Sequence, residues 1–202
     1  MPQILNRYAP IVVVIFAVLL AFSCSSNSDN SREKANRAVQ KANQQIAEHN
    51  RLFNQSRDTY TQVKDKLESG GDPKKQKEQI AKASDTLKEA RGHLQDARDS
   101  LNDVANLKGL DPTVKKYVRL LSQAMDAQLS AEAKELEFYD ILKKDPALEK
   151  NREKALDLLS EVDDNYKQAE NAYAQARELA SSNSSVIALP DETTNASSEV
   201  TS

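Results

Sequence analysis

The chain has 202 residues, 29% of them charged and 5% aromatic, with one cysteine, no tryptophan and a formal net charge of −3. That length fits one domain of ordinary size, and so few rings exclude a core filled by aromatic side chains. The balanced charge, without a basic block, excludes the electrostatic footprint of a nucleic-acid binder, and one cysteine excludes a disulfide framework.

Residues 1–23 form a leader. Arg7 and the amino terminus make its start weakly positive, and Ile11 to Phe22 is an uninterrupted apolar run. A dozen apolar residues fall short of the roughly 20 that a bilayer crossing needs, so the run reads as the core of a signal peptide. It ends in Leu20-Ala21-Phe22-Ser23-Cys24, and Cys24 is the only cysteine of the chain.

That ending resembles the lipobox of bacterial lipoproteins. The resemblance covers about the first two dozen residues. It implies cleavage before Cys24, a thioether-linked diacylglycerol on its sulfur and an acyl chain, such as palmitate, on its amine. Two or more chains hold a protein stably on a bilayer. Cys24 is thus the expected lipidation site, and the membrane the first expected partner. In a host with two membranes, Ser25 after the cysteine implies the outer membrane, facing the periplasm or the surface. Ala21-Phe22-Ser23 also satisfies an ordinary secretory cleavage pattern, which would leave Cys24 a free thiol, and an uncleaved anchor is the third reading. Residues 24–30 are a short polar tether.

Residues 31–181 are rich in Ala, Leu, Lys, Glu and Gln, all good helix formers, and one device divides them. Gly70-Gly71-Asp72-Pro73, Gly109-Leu110-Asp111-Pro112 and Lys144-Asp145-Pro146 each read as a helix stop followed by a helix start. Asp caps the orphan amides of a first turn, Pro suits the first helical position, and Gly accepts the left-handed conformation that ends a helix. Lacking Gly, the third junction has Lys143 and Lys144 at the negative end of the helix dipole. The spacing predicts helices over 31–69, 73–108, 112–144 and 146–181, each about 50 Å long at 1.5 Å per residue. Matched lengths and short connections predict an all-α fold, an elongated antiparallel four-helix bundle.

The seams carry a coiled-coil period. Steps of four and three pick out Ala35, Val39, Ala42, Ile46, His49, Phe53, Ser56, Tyr60, Val63 and Leu67 in the first helix. In the second they give Ile80, Ala83, Leu87, Ala90, Leu94, Ala97, Leu101 and Val104; in the fourth, Ala155, Leu159, Val162, Tyr166, Ala169, Tyr173, Ala176 and Ala180. This 3.5-residue period predicts left-handed, coiled-coil-like packing. In the third helix the apolar residues run Val118, Leu121, Met125, Leu129, Ala133 and Leu136, a drift towards an eleven-residue period that predicts local straightening of the supercoil. The drift and the wide apolar face reached at Phe138 and Tyr139 leave room for a partner helix as well as for simple packing.

No residue set points to catalysis. His49 and Ser56 share a seam but stand about two turns apart, with no third group in the sequence pattern to orient the imidazole. His49 reads as a buried histidine satisfied by a neighbour, His93 as a solvated one. A di-iron bundle needs Glu three residues before each His, whereas Ile46 and Ala90 stand there. Glu132, Glu135 and Glu137 read as a solvated acidic face. No cofactor, metal ligand or catalytic residue is assigned, and the chain is expected not to be an enzyme.

Residues 182–202 change to Ser, Thr, Asn and acidic residues and read as a disordered tail. Its one apolar patch, Val186-Ile187-Ala188-Leu189-Pro190, is expected to do nothing, with docking on the bundle or binding a partner as an extended strand as the alternatives. The sequence therefore points to a lipid-anchored protein of the bacterial cell envelope with a structural or protein-interaction role and an envelope protein as partner. The alternative is a binding module holding a small or lipidic ligand between helices with small seam residues such as Ala83, Ala90 and Ala169. Homo-oligomerisation stays open, since long heptad helices can exchange between protomers.

Overall fold

The computed structural model describes residues 29–184 and 186–187. Four helices account for nearly all of them: α1 (Asp29–Glu68), α2 (Lys77–Ala105), α3 (Pro112–Lys144) and α4 (Arg152–Ser182). No strand occurs among the described residues. Cys24, the leader and most of the tail lie outside them.

The first two junctions work as their residues dictate. Gly70 and Gly109 adopt positive φ, +85° and +79°, where a side chain would be strained. Gly71 serves differently: a Cβ there would stand 2.6 Å from the carbonyl oxygen of Lys66. The Asp72 carboxylate accepts the Lys74 N–H at 2.9 Å, and the Asp111 carboxylate accepts the Thr113 N–H at 2.7 Å. From Asp111 the chain enters α3 at Pro112, where its sequence places the start. After Asp72, however, the first turn is a 3-10 turn (Pro73–Gln76), and α2 begins at Lys77 rather than at residue 73. It also ends at Ala105, short of 108, where the Asn106 and Leu107 amides fall back on the Asp103 and Val104 carbonyls.

The third junction departs from its expected form. Asp145 does not cap a helix starting at Pro146. Its carboxylate accepts the backbone N–H groups of Glu149, Lys150 and Asn151 at 3.0, 2.9 and 3.1 Å, closing a turn instead of a helix. Within that turn Leu148 takes the left-handed conformation, φ +54°, which interrupts any helical path. α4 therefore starts at Arg152, six residues later than the Asp-Pro signal implies.

α1 packs along α2, α2 along α3 and α3 along α4, while the backbones of α1 and α4 make no comparably close approach. The packing is antiparallel. One apolar cluster joins the start of α1, the end of α2, the start of α3 and the end of α4, including Val39, Leu101, Val118 and Ala176. The other joins the opposite ends, including Tyr60, Ile80, Phe138 and Leu159. Every predicted seam residue of α1, α2 and α4 is buried except Leu67, which is half-buried. Ala83, Ala90, Ala97, Ala169 and Ala176 are fully enclosed, so small side chains here accompany close packing of the helices.

In α3 the seam does not drift. Buried Val114, Val118, Met125, Gln128, Glu132, Glu135, Tyr139 and Leu142, with half-buried Leu121, keep an unbroken alternation of four and three, and a second buried row, Tyr117, Ala124, Ala131 and Phe138, repeats every seven residues beside it. Leu129, Ala133 and Leu136 are only half-buried. The expected eleven-residue period arose from following apolar residues past three seam positions held by polar ones. A sustained seven-residue period favours left-handed supercoiling rather than a local straightening.

The apolar patch after α4 also differs from expectation. The Val186 and Ile187 amides both donate to the Asn183 carbonyl at 2.9 Å, folding the chain back over the end of α4. Ile187 is fully buried in the first apolar cluster, and Val186 packs against it. The ordered fold thus extends past the expected boundary at residue 182, because an isoleucine is available to close the end of the core. Residues 188–202 lie outside the described residues.

Candidate functional site: a polar layer across mid-bundle

Between the two apolar clusters, α1, α3 and α4 bring polar seam residues together, with Arg57 reaching in from beside the α1 seam. His49, Ser56 and Arg57 come from α1, Gln128, Glu132, Glu135 and Tyr139 from α3, and Tyr166 and Tyr173 from α4. The heptad dictates the meeting: residues on one seam face inwards whatever their polarity, and antiparallel packing sets the middle of α1 against the middle of α3. Glu132 and Glu135, expected on a solvated face, are 0% and 1% exposed; only Glu137 is at the surface.

One half of the layer centres on Glu132. Its Oε1 lies 2.8 Å from His49 Nε2 and accepts the Gln128 side-chain N–H at 3.1 Å. The Tyr173 hydroxyl donates to Gln128 Oε1 at 3.2 Å. His49 stacks on Phe53, with centroids 5.6 Å apart, and its Nδ1 lies 3.1 Å from Asn50 Oδ1. His49 is thus buried and satisfied, as its seam position suggested. The group that orients it is Glu132, which the sequence pattern did not supply. Ser56 takes no part in that pairing; its hydroxyl donates to the Ala83 carbonyl at 2.7 Å. No donor among the described residues reaches Glu132 Oε2, an enclosed carboxylate oxygen.

The other half centres on Glu135. Arg57 donates to its Oε2 at 2.9 Å, and the Tyr139 and Tyr166 hydroxyls donate to Oε1 and Oε2 at 3.2 and 3.4 Å. The Arg57 guanidinium lies over the rings of Phe53 and Tyr166, 4.9 and 5.7 Å from their centroids, where the ring quadrupole favours a cation. Burial pushes the Glu135 carboxyl above its ordinary value, and neighbouring Glu132 adds to this, while Arg57 and the two tyrosines work against it. Burial disfavours the charge on Arg57, yet Glu135 holds it more firmly protonated than usual. The Tyr139 and Tyr166 hydroxyls are pushed well up by burial and by the nearby Glu135 charge.

Chemically this arrangement is closed. His49, Glu132 and Glu135 are enclosed on all sides, so no substrate meets them in this conformation. No group of three or more His, Cys, Asp or Glu residues able to hold a metal occurs among the described residues. His93, expected to be solvated, is half-buried with Nδ1 2.6 Å from Gln45 Oε1, a link between α2 and α1. No described helix is long and apolar enough to cross a membrane. Comparison with protein-family models, with curated proteins and with solved structures finds no match for this chain.

Proposed function

We propose that the chain is an exported bacterial lipoprotein, held on a membrane through lipidated Cys24, whose bundle acts as a stand-off in the cell envelope and engages a protein partner there. The observation that carries the reading is the direction of α1. Asp29 starts the helix five residues after Cys24, and 40 helical residues then extend about 60 Å away from it. The α1–α2 and α3–α4 connections lie at the end remote from the tether, together with exposed Lys74, Lys75, Lys77, Lys144 and Lys150. The end of α4 returns beside the start of α1, so among the described residues the far end is formed by the two connections alone.

A rod whose central polar groups are enclosed suits a role of contact and spacing better than one of turnover. The test is fractionation of cells producing the chain or its Cys24→Ser form, followed by crosslinking of intact envelopes. The wild-type chain is expected with the membranes, bound to a reproducible protein partner, and the variant in the soluble fraction. Identical distribution of the two forms would remove the anchor, and absence of a reproducible crosslinked protein would remove the partner.

A further inference from the structure

The seam of α2 repeats itself. Ile80, Leu87, Leu94 and Leu101 are large and Ala83, Ala90 and Ala97 small, each set seven residues apart, and all are buried. A slide of α2 by one heptad, about 10 Å, sets a similar side chain in nearly every place it vacates. The apolar seam of α2 by itself therefore discriminates poorly between the native alignment of the α1–α2 hairpin on the α3–α4 hairpin and an alignment one heptad away.

The polar layer does not repeat. Seven residues from Glu132 along α3 stand Met125 and Tyr139, and seven residues from His49 along α1 stand Ala42 and Ser56. In a slipped alignment His49 loses its carboxylate, and Glu135 loses Arg57. Two carboxylates and a guanidinium would then sit in the core without their native partners, a costly arrangement. The native layer is itself imperfect as a source of stability. Its Glu132 Oε2 has no donor among the described residues, and the desolvation of four ionisable groups offsets the pairing.

We infer that the layer formed by His49, Gln128 and Glu132, with Arg57 and Glu135 beside them, is an alignment lock, which gives up stability to fix one register between the two hairpins. A single polar residue in a coiled-coil seam can set register at a stability cost. Here the lock joins α1 to α3 and leaves out α2, the helix whose own seam is the most degenerate.

The test fills the layer with apolar side chains in the full mature chain carrying Cys24→Ser. Two versions are made, His49→Leu/Gln128→Leu/Glu132→Leu and the more adaptable His49→Met/Gln128→Met/Glu132→Met. Spin labels at exposed Gln44 of α1 and Gln175 of α4, each replaced by Cys, report the alignment by their distance distribution. The parent is expected to give one narrow distance. The filled versions are expected to melt no lower than the parent and to give a broadened or second distance, from molecules displaced by about 10 Å along the bundle. One narrow parental distance in a folded filled version would overturn the proposal. Loss of helical circular dichroism in both versions would also overturn it, because the layer would then be needed for folding itself.

Discussion

His49 on α1 and Glu132 on α3 stand 83 positions apart, and their side chains meet at 2.8 Å with no solvent exposure on either. They join the diagonal of the bundle. Removing one member strands the other in a medium that cannot solvate it. Glu132→Leu is expected to lower unfolding free energy by about 3–5 kcal/mol in a urea titration. Adding His49→Leu should cost much less than it does alone, giving a coupling of about 1–3 kcal/mol in the double-mutant cycle. Strict additivity would mean that the two side chains do not interact.

Glu135 gives the layer a pH dependence of definite sign. Its carboxyl is held above the ordinary value of 4.5 in the fold, chiefly by burial. Between 4.5 and that raised value the folded chain binds the proton and the unfolded chain does not. The contribution of this group to stability therefore falls as pH rises through the window and is recovered as pH falls back towards 4.5. Chemical denaturation of the wild type and Glu135→Gln across pH 4.5 to 7 should show the wild type gaining on the variant towards the acid end. A constant difference would contradict the assignment.

Asp145 works in the opposite direction. The Lys150 amide, with Asn151 and Glu149, holds its carboxyl below the ordinary value of 3.8. Its stabilisation is present above the unfolded value and is lost as pH falls through the depressed folded value. Asp145→Ala should lower Tm at neutral pH by opening the turn before α4. The gap between variant and wild type should close at pH values below the depressed value. Calorimetry over that range decides, and a gap independent of pH would show that the carboxylate is not the cap.

Ile187 closes the end of the core where α1 begins and α4 ends, among side chains that include Val39, Val104 and Ala180. Ile187→Ala should destabilise the fold by about 2 kcal/mol, the lower range for truncating a buried isoleucine, because a terminal segment can partly collapse. Hydrogen exchange should quicken first at the start of α1 and the end of α4. Unchanged protection there would mean that Ile187 does not hold the end shut.

Where local chemistry decides, the sequence sufficed. Asp111-Pro112 begins α3, Gly70 and Gly109 turn left-handed, and the heptads of α1, α2 and α4 mark the buried residues, His49 included. Asp145-Pro146 misled because an aspartate can cap a free turn as well as a helix, and Leu148 in the left-handed region leaves no composition signal. The polar layer was hidden for another reason. Gln128, Glu132 and Glu135 keep the heptad spacing of Met125 and Tyr139, but a search that counts only apolar residues steps past them to Leu129, Ala133 and Leu136. Following the period through polar residues would have placed the two glutamates in the core. Their partners on α1 and α4 follow only from the alignment of whole helices, which no local pattern encodes.

The functional account rests on the modification of one residue, and the intact mass of the mature protein tests it most directly. Purified from membranes of a bacterium that processes lipoproteins, the chain should begin at Cys24 and weigh more than residues 24–202 by a diacylglyceryl group, with or without a further acyl chain, and Cys24→Ser should carry none of this. A product with the unmodified mass of that segment, a free thiol at Cys24 and no association with membranes would contradict the account.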